Sequence, residues 1–325
     1  MQITNSEAST YRRCCRKWKY IYQDMVIPRQ VIEPFYFGSS IGLGLDAIWE
    51  REEDYISATL AYIDEHGEES KKKYIKIQAK AMLDGYHKLY SPTLDNWELV
   101  ETEMLVSMMI CDDVEYRGAL DKVIRHKESG QLYVLDHKTT SLDVEEGSEF
   151  WIEKELDPQL VGYKTALEHM MGENAGMIYD VIRKHKTAGP KKKKAIRQKK
   201  DETDMEFAAR SVDNMETWEE YEERVRDDYL NNPTKYYNVM PVYKLQDVVD
   251  EWLPTMQFHA NSIKLSIEYE SFPKVTASCG KHQWACEYRE VCRGTMSLDD
   301  NKFKRKKHAH PELDGEESIS VDDEI

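Results

Sequence analysis

The sequence lacks any long apolar segment. None of its hydrophobic runs approaches the ~18 residues that a membrane-spanning helix needs. Its start, MQITNSEAST, contains no apolar core of a signal peptide. These absences predict a soluble protein of the cytoplasm with no membrane partner.

Positive charge is also in deficit, because 45 Lys and Arg stand against 61 Asp and Glu, for a net charge of −16. Such a balance seldom favours nucleic acid, yet residues 183–200 contain ten Lys or Arg and no acid. A local basic segment matters more for phosphate binding than the global sum. This arm is therefore either a DNA contact or a solvated insertion, and the candidate contacts are Lys191, Lys192, Lys193, Lys194 and Arg197.

Disorder is excluded for most of the chain, since 7 Trp, 20 Tyr and 7 Phe supply material for a core. The length suits one large domain, which we expect over residues 1–296. Its expected parts are a helical segment (1–95), a catalytic core (96–185), the basic arm (183–200), and a helical and cysteine-containing region (215–296). Residues 297–325 are polar and predict a disordered tail.

Hydrophobic periodicity predicts an α/β fold with helices packed on a mixed sheet. A helix is expected over residues 5–24, with Asn5 or Ser6 as its N-cap, and another ends before Pro92. Three β-rich segments follow from residue 97, with a hairpin turn at 128–130. Further expected segments are a helix at 150–171, a strand from 175, helices at 215–231 and 245–269, and a strand between those two.

Carboxylates and a lysine recur in the predicted strands. Asp136 and Lys138 are two residues apart and share a strand face, and Asp121 lies on the strand before the hairpin. Two carboxylates from adjacent strands can bind a hard divalent cation, and the lysine can orient a water beside it. Glu101 and Glu103, one strand earlier, should also share a face, and either could join the site.

The six cysteines are grouped. Cys279, Cys286 and Cys292 are separated by six and then five residues, and Cys14 and Cys15 offer a fourth thiolate at the opposite end of the chain. In a cytosolic protein such grouping favours metal or cluster ligands over disulfides. The alternatives are tetrahedral zinc and buried free thiols. Cys111 ends an apolar run, which predicts a thiol in the hydrophobic core.

These motifs resemble the PD-(D/E)XK nuclease superfamily, in its RecB-like branch. The family's G-x-x-D strand corresponds to GALD with Asp121, and its second acid and lysine correspond to Asp136 and Lys138. The branch also has a Q-x-x-x-Y helix, matched by Gln159 and Tyr163. The resemblance implies a restriction-endonuclease-like core in which Gln159 and Tyr163 contact a DNA strand. It departs at Gly42, where the branch carries a metal-binding histidine.

The cysteines resemble those of relatives in which one cysteine before the core and three after it hold an iron–sulfur cluster. The resemblance implies a [4Fe-4S] clasp that joins the helical segments at the two ends of the chain, with Zn²⁺ as the alternative. Its ligands would be Cys14, Cys279, Cys286 and Cys292. Cys15 stands where the relatives have proline, and it competes with Cys14 as ligand.

Taken together, the resemblance implies a DNA exonuclease that uses Mg²⁺ or Mn²⁺, held by Asp121 and Asp136 with Glu101 or Glu103. Its expected setting is phage or bacterial recombination, replication or DNA end processing. Its expected partners are single-stranded DNA or duplex ends, and a recombinase, helicase or single-stranded-DNA-binding protein. The absent histidine leaves open a nuclease fold that binds DNA or a partner with weak or no cleavage. A restriction-type endonuclease shares the metal motif, but the cysteines argue against it.

Overall fold

The computed structural model describes residues 1–30, 33–194, 196–280, 286–310 and 313. The helices are α1 (Asn5–Arg13), α2 (Cys15–Trp18), α3 (Glu33–Trp49), α4 (Ser57–His66), α5 (Glu69–Leu94), α6 (Glu149–Leu156), α7 (Gln159–Met171), α8 (Asp204–Asp213), α9 (Trp218–Asn231), α10 (Pro233–Tyr236), α11 (Gln246–Asp250), α12 (Trp252–Glu268) and α13 (Arg289–Arg293). The strands are β1 (Gln2–Ile3), β2 (Val26–Pro28), β3 (Trp97–Cys111), β4 (Val114–His126), β5 (Leu132–Thr140), β6 (Ala175–Arg183), β7 (Tyr237–Pro241) and β8 (Phe303–Arg305). No helix within these ranges has the length and apolar character required to cross a membrane.

Six strands of the described chain form one mixed sheet. The long strands β3 and β4 pair antiparallel, and β4 pairs antiparallel with β5 through a turn that ends at Gly130, whose φ is +70°. β5 then pairs parallel with β6 after a crossover through α6 and α7, and β7 closes the edge antiparallel to β6. The short β1 runs parallel to the start of β4. The predicted mixed sheet with flanking helices is confirmed.

Helices cover both faces of this sheet. Successive residues of a strand point to opposite faces, and the central strands carry apolar residues on both of them. Val134 and its neighbour Met177 face a core that α1, α6, α7 and α12 complete. Leu135 and its neighbour Ile178 face a second core, completed by α3, α4, α5 and α9. The sheet is thus the middle of three layers, and its central strands are buried on both sides.

The first helical segment differs from its prediction. The expected continuous helix over residues 5–24 breaks at Cys14, which is extended with φ −167° and ψ 110°, and it resumes as α2 and a π-helical turn. The N-cap is Thr4 rather than Asn5 or Ser6, because its hydroxyl accepts a hydrogen bond from the backbone N–H of Glu7 at 3.1 Å. The break separates the environments of the two adjacent cysteines.

Two prolines act differently from expectation. The helix expected to end before Pro92 continues through it, because a proline in the last turn removes only one backbone hydrogen bond. The helix expected over 150–171 is instead two helices, since Asp157 before Pro158 is extended with φ −69° and ψ 123°. Proline disfavours the helical conformation of the residue that precedes it.

The helix α8 was not expected from periodicity. α8 follows the basic arm and begins with a capping box, in which Thr203 and Glu206 each bond the other's backbone N–H. The same T-x-x-E signature starts α9 at Thr217 and Glu220. Capping chemistry thus marks the start of both helices, and α8 itself has no fully buried residue among those described.

The predicted disorder of residues 297–325 is wrong for residues 297–310. β8 pairs antiparallel with β2 near the start of the chain, and Phe303 stacks on Tyr288 with ring centroids 5.4 Å apart. Further along, His310 Nε2 lies 3.0 Å from a carboxylate oxygen of the buried Glu7. Residues 311, 312 and 314–325 lie outside the described residues.

Phe303→Ala should lower the free energy of unfolding by about 3 kcal/mol, because Phe303 is only 5% exposed and its removal leaves a cavity. Urea denaturation followed by circular dichroism measures this difference. Lys304→Ala, a half-exposed neighbour in the same strand, serves as the control and should change stability by less than about 0.5 kcal/mol. Equal, small effects of both substitutions would contradict the folded C-terminal segment.

Candidate functional site

The pairing of β4 with β5 brings two acidic residues together. Lys122 of β4 is registered with Leu135 of β5, so Asp121 and Asp136 occupy neighbouring positions on adjacent strands. The backbone N–H of His137 donates a hydrogen bond of 2.8 Å to Oδ2 of Asp121. This bond fixes the Asp121 carboxylate beside β5, as the sequence predicts.

Asp136 is almost fully buried, at 1% exposure, and pairs with Lys138. The ammonium of Lys138 donates to Oδ1 at 2.9 Å and lies 2.7 Å from Oδ2. Burial raises the pKa of Asp136 to about 6, the charge of Asp121 adds to this rise, and Lys138 opposes it. Burial alone would lower the pKa of Lys138, but the charges of Asp136 and Asp121 outweigh it and raise that pKa.

The Q-x-x-x-Y residues lie on α7 above these strands. Gln159 Nε2 donates a hydrogen bond of 2.9 Å to the hydroxyl of Tyr163. A Cβ atom on Gly118 of β4 would lie 2.7 Å from Cε1 of Tyr163, so the close approach of the ring requires glycine. Burial, followed by the charge of Asp136, raises the pKa of Tyr163. The glycine of G-x-x-D therefore accommodates the tyrosine of the second motif.

β3 brings only one of its two candidate glutamates to the site. A register shift lies between Leu99 and Glu101, and Glu103 has a positive φ of 48°. Glu103 lines a cleft of about 770 Å³ together with Asp121 and Lys138, whereas Glu101 is an exposed residue outside the described lining. The strand register places these two glutamates on one face, as expected, since Glu101 pairs with Val123 and Thr102 pairs with Lys122, but only Glu103 lines the cleft.

The electrostatics of Glu103 reflect the acidic residues that line the cleft together. Glu103 is exposed as a residue, but its carboxylate is partly desolvated in the cleft, and the charges of Asp121 and Asp46 add to this effect. Together they raise the pKa of Glu103 to about 7, and Lys122 opposes the rise. The cleft thus gathers negative charge that a cation would neutralise.

Asp46 is a residue of this cleft that sequence reasoning missed. It lies on α3 one turn after Gly42, lines the cleft, and forms an ion pair with Lys122, whose side chain is fully buried. The sequence contained a signal for Asp46, because residues 42 and 46 share one face of a helix and Gly42 occupies the position of the family's metal-binding histidine. Gly42 also lines the cleft, and a Cβ there would meet nothing within 4 Å.

A second missed group lies on the opposite face of β5. The ring of His137 has Nδ1 3.0 Å from Oδ2 of Asp180, which is fully buried on β6. The hydroxyl of Tyr86 donates to the same oxygen at 2.5 Å, and Trp49 donates to that hydroxyl at 3.2 Å. This network joins α3 and α5 to the strands that carry the acids.

Comparison with known families decides the identity. The sequence matches the PD-(D/E)XK nuclease superfamily over residues 2–293. The chain belongs to this superfamily.

The fold is similar to the crystal structure of a putative exonuclease from Eubacterium rectale, with a TM-score of 0.52 and 9% sequence identity. That likeness covers 91% of this chain and 88% of the other. No curated protein matches the sequence. At such low identity the structural likeness supports the fold alone.

Superfamily members typically use Mg²⁺ or Mn²⁺. Within the described residues, no three His, Cys, Asp or Glu side chains stand close enough to hold an ion by themselves. The buried Oδ2 of Asp136 nevertheless has no hydrogen-bond partner there, although Lys138 is close. Mg²⁺ is usually held by one or two carboxylates, several waters and substrate phosphates. The pair Asp121 and Asp136 fits that mode of binding.

The cysteines lie where the two ends of the chain meet. Cys286 and Cys292 pack beside Tyr20 and Tyr288, and the hydroxyl of Tyr20 is 3.9 Å from Sγ of Cys292. The backbone N–H of Cys286 contacts the carbonyl of Cys279 at 3.4 Å. Residues 281–285 between them lie outside the described residues. The N-terminal helical segment therefore contacts the region of Cys286 and Cys292, while the cluster itself stays a prediction.

The break in the N-terminal helix distinguishes Cys14 from Cys15. Cys15 packs against the first core, and its Sγ contacts the carbonyl of Tyr11 at 3.7 Å. Lys17 of α2 forms an ion pair with Glu287 at 2.9 Å, and Glu287 is next to Cys286 in the sequence. Cys111 is only half-buried, and its Sγ lies 3.8 Å from a carboxylate oxygen of Asp113.

The basic arm packs against the start of α9 rather than over the described lining of the cleft. Lys193 pairs with Glu220 at 2.6 Å, and the backbone N–H of Lys191 donates to Glu216 at 3.0 Å. Lys191, Lys192, Lys194 and Arg197 are exposed. A contact between the arm and DNA therefore stays a prediction.

Gly118→Ala should lower the free energy of unfolding by about 2 kcal/mol, because the added methyl group overlaps the ring of Tyr163. In a Tyr163→Ala background the same change should cost less than about 0.5 kcal/mol, which a double-mutant cycle in urea measures. Gly42→Ala is the control and should be neutral or stabilising, because its Cβ meets no atom. Additive effects of the two substitutions would contradict this contact.

Proposed function

We propose that this protein is a metal-dependent DNA exonuclease that hydrolyses phosphodiester bonds. The observation that carries the proposal is the juxtaposition of Asp121, Asp136 and Lys138 at paired positions of β4 and β5, beside an open cleft. Membership of the nuclease superfamily supports the chemistry. The similar fold of a protein described as a putative exonuclease favours digestion from an end.

The roles of the residues follow from their chemistry. Asp121 and Asp136 would hold Mg²⁺ or Mn²⁺, and a bound ion of this kind supplies an activated water and polarises the phosphodiester. Lys138 is held at the buried Asp136, where its charge can stabilise the negative charge that develops on phosphate. Of the two glutamates proposed to assist at the metal, Glu103 lines the same cleft and can hold the ion or its water.

Gln159 and Tyr163 would position the DNA strand. Their mutual hydrogen bond and the contact of Tyr163 with Gly118 fix both side chains above β4. Correct placement of a substrate supplies a large part of catalysis, since small displacements of reacting atoms slow a reaction strongly. We propose bacterial or phage DNA recombination, replication or end processing as the setting, with a recombinase, helicase or single-stranded-DNA-binding protein as a partner.

A second candidate function is a nuclease fold that binds DNA and cuts it weakly or not at all. Gly42 favours it, because this position lines the cleft and offers space but no metal-binding side chain. The two functions share binding and differ in cleavage. One assay of both properties distinguishes them.

Asp136→Asn should lower cleavage of end-labelled linear DNA about 1000-fold with Mg²⁺ or Mn²⁺, because it removes one of two carboxylates that hold the ion. Chelation with EDTA should abolish the wild-type activity, and covalently closed circular DNA should resist it. Asp95→Asn, at an exposed surface position, is the control and should retain full activity. Binding without cleavage by the wild type would favour the second function, and a fully active Asp136→Asn variant would refute this active site.

We also propose that Cys14, Cys279, Cys286 and Cys292 hold a [4Fe-4S] cluster, with Zn²⁺ as the alternative. Four thiols are a suitable donor set for either. The contacts of Tyr20 with Cys292 and of Lys17 with Glu287 support this clasp, since they join the two ends of the chain. Cys15 is turned toward the core beside Tyr11, which favours Cys14 as the fourth ligand.

Anaerobically purified wild-type protein should be brown and contain iron, and Cys14→Ser should lose both the colour and the metal. Cys15→Ser and Cys111→Ser are the controls and should keep them. Cys14→Ser should also lower the melting temperature, because the clasp closes a very long loop. Visible spectra and elemental analysis measure the outcome. A colourless zinc protein would select the alternative, and metal loss in Cys15→Ser alone would reverse the assignment of the ligand.

A further inference from the structure

The outer part of the catalytic cleft is apolar, in contrast to its acidic inner end. α3 forms one wall, and two of its large side chains are exposed there, Phe35 at 65% and Leu43 at 38%. Gly38 and Gly42 lie between them along the helix and also line the cleft. We call these four residues the α3 shelf. An exposed apolar surface beside catalytic residues indicates a binding function.

The glycines keep the shelf flat. A Cβ on Gly42 would meet nothing within 4 Å, and one on Gly38 would make only ordinary contact with Thr139 at 3.5 Å. Packing therefore does not require glycine at either position. The consequence of the two glycines is open space above the helix backbone, bounded by Phe35 and Leu43. A flat ring fits such a space better than a branched side chain does.

The inner end of the cleft restricts what the shelf can bind. Asp46, Glu103 and Asp121 line it with carboxylates, and Lys138 supplies a cation beside them. A phosphodiester can enter only with a bound divalent cation or at the lysine, because the carboxylates repel it. A ligand that satisfies both ends carries flat apolar rings and phosphates, which is the chemistry of a nucleic acid with accessible base faces.

We propose that the α3 shelf stacks the unpaired bases of a single-stranded DNA end and thereby makes the cleft selective for single-stranded or frayed ends. Paired bases in a duplex expose little of their faces, whereas unpaired bases stack on aromatic side chains whatever their sequence. Phe35 and Leu43 are eight residues apart, or ~12 Å along the helix. This length leaves room for a base ring to lie on the helix surface between the two side chains. The inference rests on the proposed nuclease function and specifies its substrate.

The test measures binding apart from cleavage. Fluorescence anisotropy follows a labelled single-stranded oligonucleotide bound to protein that carries Asp136→Asn, so that cleavage does not interfere. Phe35→Ala in this background should weaken binding about tenfold, because one stacked base is lost. Phe35→Trp should retain the affinity of the parent. Phe258→Ala is the matched control, since Phe258 is 67% exposed on α12 outside the described lining of the cleft, and it should have no effect.

The substrate supplies a second control. An oligonucleotide with abasic sites at its terminal positions should bind the parent and Phe35→Ala equally, because neither can stack a base there. A blunt duplex should bind more weakly than a single strand and should be insensitive to Phe35→Ala. Equal loss of affinity for abasic, duplex and single-stranded DNA would overturn base stacking, and so would unchanged affinity for the single strand.

Failure of this inference differs from failure of the proposed function. If wild-type protein degrades linear DNA while Phe35→Ala binds single strands normally, the shelf does not stack bases and the nuclease function stands. If wild-type protein neither binds nor cleaves DNA, the proposed function itself fails, and the shelf inference fails with it. In active protein, Phe35→Ala should raise KM about tenfold and leave kcat near its wild-type value, since Phe35 would contact a base rather than the reacting phosphate.

Discussion

The site depends on one strand pairing, that of β4 with β5 at Lys122 and Leu135. This register places Asp121 beside Asp136 and allows the backbone N–H of His137 to hold the Asp121 carboxylate. A shift of one residue would turn Asp136 to the opposite face, because side chains alternate along a strand. The two apolar cores specify this register, since Val134 and Leu135 are buried on opposite faces.

The two faces of β5 carry different polar groups. On one face the buried Asp136 forms an ion pair with the partly exposed Lys138. On the other face the ring of His137 lies beside the buried Asp180. Buried charges are costly unless they are paired and hydrogen-bonded. The hydroxyl of Tyr86 donates a hydrogen bond to Asp180, which offsets part of the cost of burying that charge and connects α5 to the sheet. Polar groups on both faces thus hold the strand that carries the catalytic candidates.

Sequence reasoning was accurate where the chemistry is local. The period of two determines that Asp136 and Lys138 share a face, and a spacing of four determines that Gln159 and Tyr163 do so on a helix. The strands, the hairpin turn at Gly130 and the mixed sheet follow from the same patterns. The break at Cys14 and the persistence of α5 through Pro92 did not, because packing decides whether a helix tolerates a local defect.

The sequence by itself determined the main strands of the sheet, the acidic pair with its lysine, and the superfamily to which they belong. Only the tertiary structure decided which further residues join them. It placed Glu103 rather than Glu101 in the cleft lining, and it brought Asp46 there from α3. It also folded residues 303–305 back onto β2, at the opposite end of the chain. Such contacts join residues far apart in sequence, and their free energy comes from burial that no local pattern records.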